Sequence, residues 1–303
     1  MHRKIIYIIN PISGTRSKQR VQNIIAKETA KAGIDFQFMP SVASGDYSYI
    51  EQIIIEEGIT DVVIVGGDGT VSQVVDSLMH LPIQFGVIPC GSGNGLAFSA
   101  GIPKTPHKAL DVIFNNQAHR VDGFRVNKHF ACMLCGIGFD AQVAHDFAKA
   151  NQRGLTTYIK KIFTNFFSAK AYSFKIKLKN KSFSTSAYFI SIANSNQFGN
   201  NFTIAPKASL SDGLLDVVIV TDQPKFTLLY NTIKQVGGLN SLQAKESIDA
   251  NKGVIYFQTD ELTIENIDNA PVHIDGDPAE TQYKLHVVIQ PDCFKLLVGK
   301  KSI

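Results

Sequence analysis

An α/β domain followed by an antiparallel β-sandwich is the architecture this sequence predicts, on three observations. Strand-like and helix-like stretches alternate over roughly the first 120 residues, the pattern of a parallel sheet with helical crossovers. Within them, Asp61-Val62-Val63-Ile64-Val65 is a continuous apolar run, as expected of a strand buried on both faces. Beyond Val121, runs of period 2 take over. The first domain is thus an α/β domain with a parallel, Rossmann-like sheet, and the second is β-rich.

The elements follow in order. Lys4–Asn10 reads as a strand and 18–32 as a helix stopped by Gly33. Asp35–Met39 is a second strand, and Tyr47–Glu57 a helix closed by Gly58. After the strand 61–65 come a helix over Val71–Met79, a strand over Gln84–Ile88, and helices over Gly95–Ala100 and Lys108–Asn115. In the second half the alternating runs are 173–179, 187–193, 214–220, 254–258, 262–265, 272–274 and 283–289, with one helix-like segment at 155–168. Phe130–Cys135 reads as a buried strand. The domains are accordingly 1–121 and 122–291.

Composition excludes several classes. With 303 residues, 44% apolar, the chain has ample core for two domains. Four cysteines do not make a disulfide scaffold. No apolar run reaches the roughly 20 residues of a membrane-spanning helix. The expected setting is cytoplasmic. Net charge is +4, but segment 147–211 lacks Asp and Glu and holds ten of the 30 basic residues. Such asymmetry fits a polyanionic partner: nucleic acid, an anionic membrane surface or a phosphorylated substrate. No nucleic-acid motif accompanies it, so nucleic acid is not expected. Within it, Tyr158–Phe167 sets apolar residues at helical spacing beside lysines, which suits either a membrane interface or ordinary core packing.

The chemistry lies in glycine loops. Gly66-Gly67-Asp68-Gly69-Thr70 joins a strand to a helix, where backbone N–H groups and the helix N-terminus favour phosphate. A carboxylate there, Asp68, suits Mg²⁺ or the proton of an attacking hydroxyl. Cys90-Gly91-Ser92-Gly93-Asn94-Gly95 repeats the strand-to-helix logic, and Asn10-Pro11-Ile12-Ser13-Gly14 adds polar groups after the first strand. In a parallel sheet all three lie at the carboxyl edge. The Walker sequence is absent. Asp275-Gly276-Asp277 offers paired carboxylates, and its plainer reading is a hairpin turn. His129, Cys132 and Cys135 have a zinc-like spacing, but a strand would point Cys132 and Cys135 to opposite faces. Gly136-x-Gly138-x-x-Ala141 imitates a dinucleotide fingerprint outside its βαβ setting, and Cys90 reads as a small filler.

Five motifs, in order, carry a resemblance: Asn10-Pro11-x-Ser13-Gly14, Gly66-Gly67-Asp68-Gly69-Thr70, Pro89-x-Gly91-Ser92-Gly93-Asn94, Gly136-x-Gly138-Phe139-Asp140-Ala141 and Ile274-Asp275-Gly276-Asp277-Pro278. Over nearly its whole length the sequence resembles the diacylglycerol kinase catalytic family, which includes bacterial soluble lipid kinases and sphingosine kinases. The resemblance implies ATP, Mg²⁺ and phosphorylation of a lipid hydroxyl at a cleft between the domains. It implies that 292–303 return to the first domain, and it sets the protein at a membrane surface as a peripheral enzyme, with a homodimer an option. It places the nucleotide on Asn10, Ser41, Gly66, Gly67, Asp68, Gly69, Thr70, Val71, Ser72 and Ser92.

By the same resemblance Asp275 is the general base, Asp277 stands where relatives carry Glu, and Asp68 is a rival base. Ser209, Asp212 and Leu214 correspond to a structural Mg²⁺ site. Asp140 either orients a lipid hydroxyl or amine or caps locally. Asn94-Gly95, where many bacterial relatives have Asn-Asp, loosens the choice between diacylglycerol and a sphingoid acceptor. A soluble acceptor such as NAD and a catalytically degenerate lipid-binding module are the alternatives.

Overall fold

A computed structural model describes residues 3–14, 17–115, 117–139, 141–142, 169–196, 205, 207–222 and 253–299. The helix-like segment 155–168, its interfacial stretch 158–167, and Asp140 lie outside them.

The first domain is a parallel sheet in the order β2-β1-β3-β4, built from β1 (Lys4–Ile9), β2 (Asp35–Pro40), β3 (Asp61–Gly66) and β4 (Gln84–Pro89). Every residue of β3 is buried, as its unbroken apolar run requires. Helix α1 (Lys18–Lys31) buries Val21, Ile25 and Thr29, spaced by four. Helix α2 (Glu51–Glu57) ends on Gly58 in the left-handed conformation. The turn before it, Ser48–Ile50, is 3-10 rather than α, because Tyr47 is fully buried and its N–H is held by Ser77 Oγ at 3.1 Å. Helix α3 (Asp68–Leu78) starts three residues earlier than the apolar period indicates, so the glycine loop is itself the helix N-terminus. The short α4 (Gly95–Ser99) and α5 (Pro106–Asn115), which opens on proline, complete the domain.

Strand β5 (Ala118–Val126) runs through position 121. The predicted strand over 130–135 is broken in two, β6 (His129–Ala131) and β7 (Leu134–Gly138). The break at Cys132-Met133 turns backbone N–H groups toward Asp275, which explains why the apolar run is not one strand. Strands β8 (Tyr172–Leu178), β9 (Lys181–Ala193), β10 (Leu215–Thr221), β11 (Val254–Thr259), β12 (Glu261–Asn266), β13 (Val272–Ile274) and β14 (Asp277–Ala279) pair antiparallel.

The last strand, β15 (Lys284–Leu297), pairs antiparallel with β12 and β5, then in parallel with β4 at Leu296↔Phe85. Its register shifts between Gln290 and Phe294. One core fills the first domain and takes in Phe294, Leu296, Leu297 and Val298. A second, including Phe174, Ile190, Val217, Phe257 and Val287, fills the sandwich.

Candidate active site

Three loops and one hairpin converge at the carboxyl edge of the parallel sheet. Asn10, just past β1, donates its side-chain amide to Thr70 Oγ1 at 2.8 Å and accepts the Ile12 N–H at 3.0 Å. Ser13 of the same loop receives Lys18 Nζ at 2.9 Å, a cation that motif reading did not single out. Ser41, just past β2, donates its N–H to the Ile9 carbonyl at 2.9 Å, and its hydroxyl meets that of Tyr47. It therefore stands next to the end of β1.

The two glycine loops touch backbone to backbone. A Cβ on Gly91 would lie 2.5 Å from Gly67 Cα, a separation no side chain tolerates. Asn94, left-handed at φ 61°, closes the second loop by accepting the Gly91 N–H at 2.7 Å and donating to its carbonyl at 2.8 Å. Ser92 sits in this closed loop. Asp68 accepts the N–H groups of Gly95 at 3.0 Å and Leu96 at 3.2 Å, which ties the start of α3 to the start of α4. Val71 is buried, and its N–H donates to the Gly67 carbonyl at 3.1 Å.

The fourth component comes from the sandwich. Strands β13 and β14 are joined by Asp275-Gly276, both at positive φ (49° and 85°), a two-residue hairpin of type I′ character. That turn drives the Asp275 carboxylate inward. It is 5% exposed and has four donors: the N–H groups of Cys132 (2.8 Å), Met133 (3.0 Å) and Leu134 (2.8 Å), and the Ser72 hydroxyl of α3. Asp277, exposed on the same hairpin, lies against Gly69, where a Cβ would come within 2.0 Å of its Oδ2. The hairpin is thus docked on the glycine loop at two points. The Arg125–Asp76 ion pair at 2.5 Å adds a third tie between α3 and the second domain.

Electrostatics follow from this packing. Burial pushes Asp68 up to about 6, helped by the Asp275 charge and opposed by the N–H groups that it accepts. Burial also raises Asp275, against its four donors. A buried acid whose proton affinity is raised further by the charge of a neighbouring acid makes a place for a cation. The donors are oxygen, as Mg²⁺ requires, and one or two carboxylates suffice when phosphates supply the rest.

Asp212 accepts the Leu214 N–H at 3.1 Å within the 209–214 turn. Below it Asp122, 1% exposed, accepts the N–H groups of Gly213 and Asp292, both at 2.8 Å. Asp122 therefore clasps the 209–214 turn to the bend in β15, a role only a buried acid in an apolar strand hinted at. Among the described residues no three His, Cys, Asp or Glu side chains cluster as a metal centre. Cys132 lies beside Ser72 and Asp275, whereas Cys135 lies in the sandwich core. Of the basic segment, Lys177 and Lys179 pair with Glu265 and Asp260. Among the described residues no helix is long and apolar enough to cross a membrane.

Comparison with known proteins gives matches over both domains. The diacylglycerol kinase catalytic domain model matches residues 4–126, and that of the YegS C-terminal NAD kinase beta sandwich-like domain matches 134–298. A Chromohalobacter salexigens protein named "Probable lipid kinase YegS-like" is 28% identical over 240 residues, 77% of this chain and 75% of its own length. A Staphylococcus aureus protein named "Diacylglycerol kinase" is 24% identical over 281 residues, 91% of this chain and 87% of its own. A crystal structure titled as a diacylglycerol kinase from Bacillus anthracis str. Sterne superposes with a TM-score of 0.74 at 17% identity, covering 99% of this chain and 98% of that one.

Proposed function

The chain belongs to the diacylglycerol kinase catalytic family, with a YegS-type C-terminal sandwich, and from that premise we propose that it transfers the γ-phosphoryl group of ATP to a lipid hydroxyl with the help of Mg²⁺. It is a kinase acting on an alcohol group; the nucleotide, the ion and the acceptor lipid, diacylglycerol or a sphingoid base, are the proposal.

The observation that carries the reading is the docking of the Asp275–Asp277 hairpin on the Gly66–Ser72 loop. It brings acidic groups from one domain to a phosphate-type helix terminus of the other. Gly66, Gly67, Gly69 and Thr70 present backbone N–H groups to the phosphates, Val71 holds the turn by donating its own N–H to the Gly67 carbonyl, and Asn10, Ser41 and Ser92 lie around the nucleotide. Asp68 and Asp277 are the carboxylates that would hold Mg²⁺, which when bound neutralises charge on the phosphates. Asp275 takes the proton of the lipid hydroxyl through Ser72: the Ser72 oxygen receives it while the Ser72 proton passes to Asp275 Oδ2. Asp68, at about 6, supports a second reading in which it is the base. Asp212, with the carbonyls of Ser209 and Leu214, is a second Mg²⁺ site in this proposal. Asp140, outside the described residues, keeps the role the resemblance gives it in this proposal, orienting a lipid hydroxyl or amine. Contact with an anionic membrane through segment 147–211, and self-association, belong to the same reading.

The test is transfer of labelled γ-phosphate from ATP, with and without Mg²⁺, to diacylglycerol, monoacylglycerol, sphinganine, ceramide and NAD. Label in one lipid, lost with EDTA, is expected. Label in NAD alone overturns the lipid reading. ATP binding without transfer to any acceptor favours a binding module.

A further inference from the structure

Strand β9 alternates Ile190, Ser191, Ile192, and the two isoleucines point into the sandwich core. Ser191 therefore points to the opposite face. It is fully buried there, and its hydroxyl has no hydrogen-bond partner among the described residues. Buried hydroxyls nearly always have one.

The surroundings say what kind of group is missing. In register across β13, β7, β9, β10 and β11, one row reads His273, Gly136, Ser191, Val218, Tyr256. Val218 and Tyr256 join Tyr188 and Val220 in an apolar cluster on this face. On the other side Gly136 offers bare backbone between Ser191 and the strand that leads to Asp275. The nearby acid, Asp216, already accepts Tyr256 Oη at 2.5 Å and Gln258 Nε2 at 3.2 Å. So a hydroxyl donor stands at the border of a buried apolar cluster, about 12 Å from Asp275 by strand spacing and rise.

We infer that Ser191 is a specificity-determining residue for the acceptor. It donates its O–H to a second oxygen of the lipid head, separate from the hydroxyl that is phosphorylated, while the chains lie along the apolar cluster. In a diacylglycerol that oxygen is an ester carbonyl; in a sphingoid base it is the other hydroxyl. The inference rests on the lipid-kinase reading, and the experiment separates the two.

Equilibrium binding of 1,2-dioctanoylglycerol and of sphinganine, each in Triton X-100 micelles, is measured for the wild type, Ser191→Ala and Ser191→Thr, with ATP affinity and Tm alongside. Loss of one hydrogen bond is worth about tenfold. Ser191→Ala is expected to weaken by that factor whichever probe the wild type holds and to raise its KM equally. kcat and ATP affinity stay put, and Ser191→Thr restores most of the loss. Unchanged binding in Ser191→Ala with a raised Tm marks an orphan hydroxyl and overturns the inference, as does a wild type that binds neither probe. A wild type that binds a probe, weakens with Ser191→Ala, and transfers no phosphate to it overturns the kinase reading alone.

Discussion

Ser72, in the first turns of α3, donates its hydroxyl to the Asp275 carboxylate, which lies on a hairpin of the other domain and is otherwise held by three backbone N–H groups. In Asp275→Asn, one amide nitrogen faces donors, so stability should fall by about 2–4 kcal/mol. Turnover should be lost while ATP still binds. Urea unfolding and initial rates, read together, check this; an active Asp275→Asn removes the base.

Ser72→Ala isolates the relay. It leaves three donors on Asp275, so unfolding free energy should drop by only about 1 kcal/mol. kcat should fall by about 100-fold, the range of acid–base assistance. Normal kcat in this variant would mean that Ser72 only anchors the hairpin.

Gly91→Ala should weaken ATP binding at least about tenfold, because its Cβ lands on the backbone of Gly67, which cannot rotate away. Gly276→Ala is the contrast. Its φ is 85°, but nothing lies within 4 Å, so the expected cost is about 1 kcal/mol of stability with ATP affinity unchanged. Calorimetric titration with ATP distinguishes the two.

Gly69 and Asp277 should be energetically coupled. Gly69→Ala displaces the Asp277 carboxylate, and Asp277→Ala removes it. If their contact seats the hairpin, each single variant loses turnover and the double variant loses little more, a coupling above about 1 kcal/mol. Simple multiplication of the two losses would show that the contact is incidental.

Asp216 gives a pH dependence with a definite sign. Burial raises its pKa despite the Tyr256 and Gln258 hydrogen bonds. The charged form is thus disfavoured in the fold, and stability declines as pH rises from 3.8 through the raised value. Asp216→Asn keeps the shape without the charge, with the Gln258 amide turned to accept. Its Tm advantage over the wild type should be largest near pH 7 and shrink toward pH 4. A pH-independent difference would sink the explanation.

Much of the fold was legible because period and punctuation coincide: β3 is an unbroken apolar run, α2 stops on Gly58, and β9 alternates. The loop motifs were legible because glycine is needed wherever backbones touch, as at Gly67 and Gly91. What escaped was set by long-range contact. The break between β6 and β7 exists because backbone N–H groups of Cys132 and Met133 turn to a carboxylate more than a hundred residues away, and backbone donors leave no mark in a sequence. The Ser191 hydroxyl, without a partner among the described residues, was equally invisible, since one serine in an alternating strand looks like any surface residue.

Strand β15 joins both layers, and its Leu296 pairs with Phe85 of β4. During synthesis on the ribosome, Phe85 emerges long before Leu296. A nascent chain halted before residue 284 carries every glycine loop yet leaves the β4 edge of the sheet without its neighbour. Such an edge is a template for unwanted strand pairing. The enzyme's first domain is therefore completed only when β15 has been made, and its nascent form depends on whatever shields that edge until then.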